Sequence, residues 1–303
     1  MENGISLYPG LDNTPDENLA LLERAAQAGI RRVFTSLHIP ETDVAALKQE
    51  IGSLLRAARR HHMEVISDVS PATCKLLDLP EFNPASFRML GITTLRLDYG
   101  FSAEEMARLT HRFPEMRFQL NASTITNRIL KDLQDAGTDF SHIDALHNFY
   151  PRRGTGLSEP ALVHANILLH RYGIRVGAFV ASQGRRRSPL GDGLPTLEEH
   201  RDEAAELSAR HLVALGCDSV FLADSLPTDE EIQAIGQLQG DQVTLHAHYM
   251  TKDPVQRELL AHTFTSRLDE ARDAIRAQES RPLLREMHAT IHPDNTTTHP
   301  IGA

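Results

Sequence analysis

Short apolar runs alternate with amphipathic stretches along most of the chain. Eight runs read as strands: GISLY (4–8), RVFTSLH (32–38), EVISDVS (64–70), TTLRLDY (93–99), RFQLNAS (117–123), IDALHNF (143–149), IRVGAFV (174–180) and SVFLADS (219–225). Between them, segments such as VAALKQEIGSLLRAARRHH place Leu47, Ile51, Leu54 and Leu55 at helical spacing. Thr14, Ser102, Thr196 and Thr228 each precede a glutamate three residues on (Glu17, Glu105, Glu199, Glu231). That is the capping-box pattern, in which hydroxyl and carboxylate satisfy first-turn amides. Gly29, Gly137, Gly173 and Gly216 stand where helices would close in a left-handed residue. Eight strands, each followed by a helix, predict an α/β fold of the (β/α)8 TIM-barrel type rather than a doubly wound open sheet. The barrel is expected over 1–240. A barrel-associated segment, 241–280, carries a further apolar run (QVTLHAHYM) and a helix near 253–278, and 281–303 reads as an irregular tail.

Barrel active sites are built at the C-terminal ends of strands, and the polar residues gather there. The first strand ends in Ser6 and Tyr8, the second in Ser36 and His38, the third in Asp68 and Ser70, and the fourth in Arg96 and Asp98. The fifth carries Gln119 and Asn121, the sixth ends in His147, Asn148 and Tyr150, and the eighth in Asp224. A spacing of two aims most of each set at one face. In TTLRLDY, Leu95 and Leu97 should face the helices and Arg96 and Asp98 the lumen, where charges must be paired or used. An Arg96–Asp98 or Arg96–Asp68 ion pair that merely fills the lumen is the alternative; polar ends converging on one mouth favour a site.

The 303 residues, 41% hydrophobic, suit one large domain of barrel size. A formal charge of −10 and a pI near 5.9 argue against nucleic acid or anionic membrane as a partner. No apolar run nears the roughly 20 residues of a membrane span, and MENGISLYPG lacks a basic n-region, so a cytoplasmic protein is expected. Cys74 and Cys217 read as reduced structural thiols. Lys48, Lys75, Lys131 and Lys252 lie in no strand, which disfavours Schiff-base chemistry. His246 and His248 lack a carboxylate in ligand spacing, so no metal is assigned, and no cofactor is expected. Asp68, Asp98 and Asp224 remain as carboxylates for acid/base work on a glycosidic bond. Arg185, Arg186 and Arg187 follow the seventh strand, where such barrels cradle phosphate near a helix start such as Thr196. Arg152 and Arg153 of HNFYPRRGTGLS would come from the neighbouring strand.

At these residues the chain resembles a known family. GISLYPG, FTSLHIPE, DVSP, LRLDYGF, LNAST, HNFYPRRGTGLS and GLPTLEEHR, from Gly4 to Arg201, are similar to motifs of bacterial cytoplasmic barrel proteins that include 6-phospho-N-acetylmuramidase; so is the stretch from Arg267 to Arg276. The resemblance implies a glycoside hydrolase acting on an anionic amino-sugar disaccharide, 6-phospho-N-acetylmuramic acid joined to N-acetylglucosamine, in peptidoglycan recycling. By position it places sugar and phosphate contacts among Tyr8, His38, Arg96, Asn121, Asn148, Tyr150, Arg152 and Arg187, with Asp68 and Asp98 as acidic strand ends. The substrate's 2-acetamido group also allows neighbouring-group participation. Members continue into a small β-rich C-terminal domain, which this chain is expected to hold truncated or not at all. Without tryptophan, sugar stacking falls to Tyr8, Tyr99, Phe101, Phe149 or Tyr150. Two other readings stay open: an isomerase, epimerase or lyase using Asp68 or Asp98 with His38 or His147, and a non-catalytic phosphosugar-binding protein. A homo-oligomer also stays open.

Overall fold

A computed structural model of the chain describes residues 1–36, 43–69, 73, 82–97, 100–242, 244, 247–269, 271–272, 274–288 and 290–293. They form two compact units, 1–243 and 244–303.

In the first unit all eight expected strands appear: β1 (Gly4–Leu7), β2 (Arg32–Ser36), β3 (Glu64–Val69), β4 (Thr94–Leu97), β5 (Arg117–Asn121), β6 (Ile143–Leu146), β7 (Arg175–Val180) and β8 (Ser219–Leu222). They pair in parallel in chain order, and β8 returns to β1, which closes the barrel. Helices α1 (Pro15–Gln27), α2 (Val44–Arg60), α3 (Pro84–Leu90), α4 (Ala103–Arg112), α5 (Asn127–Asp135), α6 (Glu159–His170), α7 (Ala205–Ala214) and α8 (Asp229–Gly236) surround it. The odd positions Leu95 and Leu97 join the apolar layer between sheet and helices. No helix among the described residues is long and apolar enough to cross a membrane.

Local signals act as their chemistry requires. The capping boxes at Thr14–Glu17, Ser102–Glu105 and Thr228–Glu231 form, and Gly29, Gly137, Gly173 and Gly216 take positive φ. The fourth box, Thr196–Glu199, does not form. The Thr196 hydroxyl instead donates to the Asn148 carbonyl at 2.9 Å and accepts from the Phe179 amide at 2.9 Å. With its hydroxyl engaged at the sheet, Thr196 caps no helix, and the chain makes only a 3-10 turn, Glu198–His200.

The lumen is layered. At the N-terminal end the Arg32 guanidinium meets Glu64 at 2.9 Å and also Asp144, which accepts from Gln119 at 2.9 Å. Above it sits an apolar plug of Phe34, Ile66, Leu146, Phe179 and Phe221. Two glycines make room for it: a Cβ on Gly4 would lie 2.1 Å from the Phe221 ring, and one on Gly177 2.6 Å from Ser219 Oγ. Only the C-terminal mouth is left for polar groups beyond these layers.

In the second unit, α9 is Pro254–Leu260 and α10 is Ser280–Glu286. The helix expected over 253–278 thus ends at Leu260. The chain beyond it folds back on itself: the Arg267 amide donates to the Arg276 carbonyl, the Gln278 amide to the Thr265 carbonyl, and Ser266 bridges Ala277. The expected apolar run takes no regular structure over 247–250, and His246 lies outside the described residues.

Candidate active site

The mouth is organised by strand register. Asp68 lies beside Arg96 on β3, and Ser36 lies beside Asp68 on β2. Gln119, next to Arg96 on β5, turns its amide to Asp144 in the N-terminal layer instead. Arg96 is 4% exposed. It donates through Nη1 to Asp68 at 2.9 Å and through Nη2 to Asn148 Oδ1 at 2.6 Å. Of the two lumen pairs that the sequence allows, Arg96–Asp68 forms. Asp68 keeps 15% side-chain exposure, so one face of its carboxylate meets the mouth. Asp98, His38 and Tyr99 lie outside the described residues, as does Cys74.

Arg187 lies across the mouth. Its guanidinium carbon sits 4.9 Å from the Phe149 ring centre and 5.1 Å from that of Tyr8. Both separations are within cation–π range. Arg187 is 9% exposed, its Nε has no hydrogen-bond partner, and no carboxylate among the described residues pairs with it. The Tyr8 ring is buried and its hydroxyl donates to the Ala223 carbonyl at 2.6 Å; burial pushes that hydroxyl's pKa up. Tyr8 therefore offers an aromatic face rather than a proton.

The other arginines are engaged elsewhere or free of the lumen. Arg185 pairs with Glu17 at 2.9 Å, and Arg186 donates to the Ser182, Asp192 and Arg201 carbonyls. Arg153 pairs with Asp202 at 2.6 Å on the surface. Arg152 is exposed, and its side chain makes no bond to the described residues. Tyr150 is half-buried and held through its backbone, its amide donating to the Pro195 carbonyl at 3.0 Å.

Two expected site residues turn out to position others. Asp224 is fully buried, and its carboxylate accepts the amides of Ser182 at 2.9 Å, Arg187 at 3.0 Å and Leu194 at 3.3 Å. Burial raises its pKa against the pull of those amides and of Arg186. With both oxygens engaged, it anchors the loop that carries Arg187. Asn121 accepts the Ser123 amide at 3.0 Å and is 7% exposed. Ser123 in turn accepts the Asn148 amide at 2.8 Å and so helps place the residue that holds Arg96. His147 points between sheet and helix: Nε2 meets Asn166 Oδ1 of α6 at 3.0 Å and Nδ1 meets Ser123 Oγ at 3.1 Å. Burial, set against the Asn166 bond and helped by Arg96, brings its pKa down to about 4.

Sequence reading missed Glu198 and Arg201. Glu198 accepts the Gly154 and Gly156 amides at 2.8 and 2.7 Å, while Arg201, 1% exposed, donates to the Tyr150 and Gly193 carbonyls at 2.9 and 3.0 Å. Together they hold HNFYPRRGTGLS against the β7 loop. Gly156 is required there, since a Cβ would lie 2.7 Å from the Glu198 backbone nitrogen. Among the described residues, one group, Glu199, His200 and His211, has the make-up of a metal site. It lies between the 198–200 turn and α7.

The family model described as 6-phospho-N-acetylmuramidase, N-terminal, matches residues 3–237. A crystal structure of an uncharacterized B. cereus protein is 30% identical, with a TM-score of 0.79 over 94% of this chain and 80% of that one. A conserved Enterococcus faecalis protein of unknown function is 31% identical, with a TM-score of 0.69 over 92% of this chain and 76% of that one. No curated protein matches the chain.

Proposed function

The chain belongs to the 6-phospho-N-acetylmuramidase family, and we propose that it is a cytoplasmic glycoside hydrolase cleaving 6-phospho-N-acetylmuramyl–N-acetylglucosamine disaccharides in peptidoglycan recycling. Arg187 is the observation that carries this reading. A guanidinium taken out of water with no counter-charge bonded to it, Asp12 acting on it only from a distance, costs several kcal/mol. A phosphate entering the mouth would supply that charge through a two-pronged hydrogen bond. The Phe149 and Tyr8 rings beside Arg187 hold the fork in place and offer apolar faces to a sugar.

Asp68 is the acid/base carboxylate in this reading. Arg96 holds one oxygen of this carboxylate at 2.9 Å, and its exposed face is free to meet a proton of the substrate or its acetamido nitrogen. Asp98, two positions beyond Arg96 in the alternation, is the second carboxylate. Asn148 and Tyr150 border the sugar, Arg152 stands at the rim, and Asp224 sets the height of Arg187. Asn121 contributes through Ser123 and Asn148, and His38 keeps the sugar-contact role that the resemblance gives it.

The test is to incubate the protein with a 6-phosphomuramyl disaccharide and its unphosphorylated twin in 18O-labelled water. The expected result is cleavage of the phosphorylated compound alone, with label in the released sugar. Equal cleavage of both would remove the role of Arg187. Conversion without label would put the protein among the isomerases or lyases, and binding without turnover would make it a phosphosugar-binding protein.

A further inference from the structure

The turn that carries Glu198 and Arg201 also carries Glu199 and His200, and both approach His211 on α7. His200 Nε2 lies 2.9 Å from His211 Nδ1, which lies 3.9 Å from Glu199 Oε1. One ligand atom from each residue falls within 4.8 Å of the others. We propose that Glu199, His200 and His211 form a binding site for a divalent transition metal of the zinc class, outside the barrel lumen.

The donor set is two imidazoles and a carboxylate, which suits zinc, cobalt or nickel. Bonds of about 2.0–2.1 Å at tetrahedral angles put ligand atoms about 3.3 Å apart. The two observed separations, 2.9 and 3.9 Å, straddle that value. With all three ligand atoms already within 4.8 Å of one another, loading the site calls for side-chain adjustment that draws them together around the ion. His200 is 3% exposed and its Nδ1 has no partner among the described residues, so Nε2 is the atom it turns to the cluster. The other nitrogen of His211, Nε2, faces the carboxylate of Glu159, the first residue of α6, at 3.7 Å, close enough to become the outer hydrogen bond of a metal-bound imidazole after a small side-chain shift. Glu199 is exposed, so water can complete the coordination.

The position gives the site a purpose. His200 sits between Glu198 and Arg201, the two residues that hold the 150–156 backbone. A metal bound there would fasten this turn to α7, and with it the arginine-bearing loop at the rim of the mouth. Metal binding at this cluster does not depend on what the mouth binds.

Cobalt(II) is the probe. The 303-residue protein, stripped with chelator, is titrated with Co2+ and followed by visible d–d absorption, then challenged with Zn2+. One Co2+ per chain is expected, displaced by stoichiometric Zn2+, with affinity weakened at least about tenfold in His211→Ala and in Glu199→Gln. Both replaced residues lie at the surface or half-buried, so the variants keep the fold, which circular dichroism checks. Zn2+ should raise the melting temperature of the parent protein and leave that of His211→Ala unchanged. Absence of binding at submillimolar Co2+ would overturn the proposal, as would a stoichiometry and affinity that His211→Ala leaves intact.

Discussion

Arg201 grips Glu198 through two parallel bonds, Nε to Oε1 at 2.7 Å and Nη2 to Oε2 at 2.6 Å. The pair closes a bracket. On one side Glu198 caps the amides of Gly154 and Gly156; on the other Arg201 collects the carbonyls of Tyr150, Arg152 and Gly193. A loop with few apolar residues thus gains a fixed shape from charge-assisted hydrogen bonds in place of a core.

Arg201→Lys should therefore be far from conservative. Lysine keeps the charge and loses the planar fork, so it cannot serve the carboxylate and the three backbone carbonyls together, and carbonyls left unpaired cost about 1–3 kcal/mol. Thermal denaturation should show that loss, and KM should rise more than kcat falls because the loop at the rim loosens. Acid should expose the same pair. Arg201 and the two glycine amides bring the Glu198 pKa from its ordinary 4.5 down to about 2. Its contribution is therefore complete above about pH 4.5 and is lost as pH falls toward 2. Urea midpoints measured across that window should fall less steeply in Glu198→Gln; parallel curves would remove the pair from the acid response.

Arg187 should separate stability from function. Arg187→Met replaces a desolvated cation lacking a carboxylate partner with an apolar side chain that packs well on aromatic rings. The melting temperature should hold or rise. Turnover of a 6-phosphomuramyl substrate should drop by about a hundredfold or more in kcat/KM, since hydrogen bonds to a charged group are worth about 1.5–3 kcal/mol each. Arg187→Lys should recover little, because a point charge does not span two phosphate oxygens. A marked loss of stability in Arg187→Met would mean that the cation is held by the protein rather than kept for a ligand.

Asp224→Asn tests the anchor beneath that arginine. The carboxylate accepts three amides, and a carboxamide of the same shape must turn an NH2 group toward at least one of them. The expected loss is about 1–3 kcal/mol. Hydrogen exchange should quicken at the Ser182, Arg187 and Leu194 amides while the rest of the barrel stays protected. Unchanged exchange there would show that the loop is held by something else.

How far the sequence could be read follows from the range of each signal. Alternation with period two is local, so the strands and the lumen direction of Arg96 were legible. Its carboxylate partner was narrowed only to Asp98 or Asp68, and Asp68 on the neighbouring strand, 28 residues away, is the one it meets. The Arg32–Asp144 pair joins residues 112 apart, and no local pattern marks it. The three arginines 185–187 look equivalent in sequence, yet only Arg187 turns to the aromatic rings, because the loop has no period that assigns its faces. Thr196 satisfies the capping pattern, but the pattern does not reveal that Asn148 and Phe179 compete for its hydroxyl. The helix expected over 253–278 stops at Leu260, and beyond it Leu268 is 97% and Ile275 92% exposed. Periodicity identifies a face only where there is a surface to bury it against.

His147 offers the sharpest division between the hydrolase reading and a proton-abstracting one. A base at the mouth would titrate with activity near neutral pH. His147 instead faces Asn166 and Ser123, with its pKa brought down to about 4 from 6.5. The folded state resists its protonation and the unfolded chain does not. Stability is therefore full above about pH 6.5 and declines as pH falls toward 4, at up to about 1.4 kcal/mol per pH unit for one proton. This window lies above that of Glu198, so urea midpoints can separate the two. His147→Gln should make the decline between pH 6.5 and 4 shallower, leaving the share of His200, which titrates in the same window, and lower stability at neutral pH through the lost packing. By NMR the His147 ring should stay neutral down to about pH 5. The kcat/KM profile of the parent protein should carry no limb that vanishes in His147→Gln. Such a limb would return His147 to the chemistry and favour an isomerase or lyase.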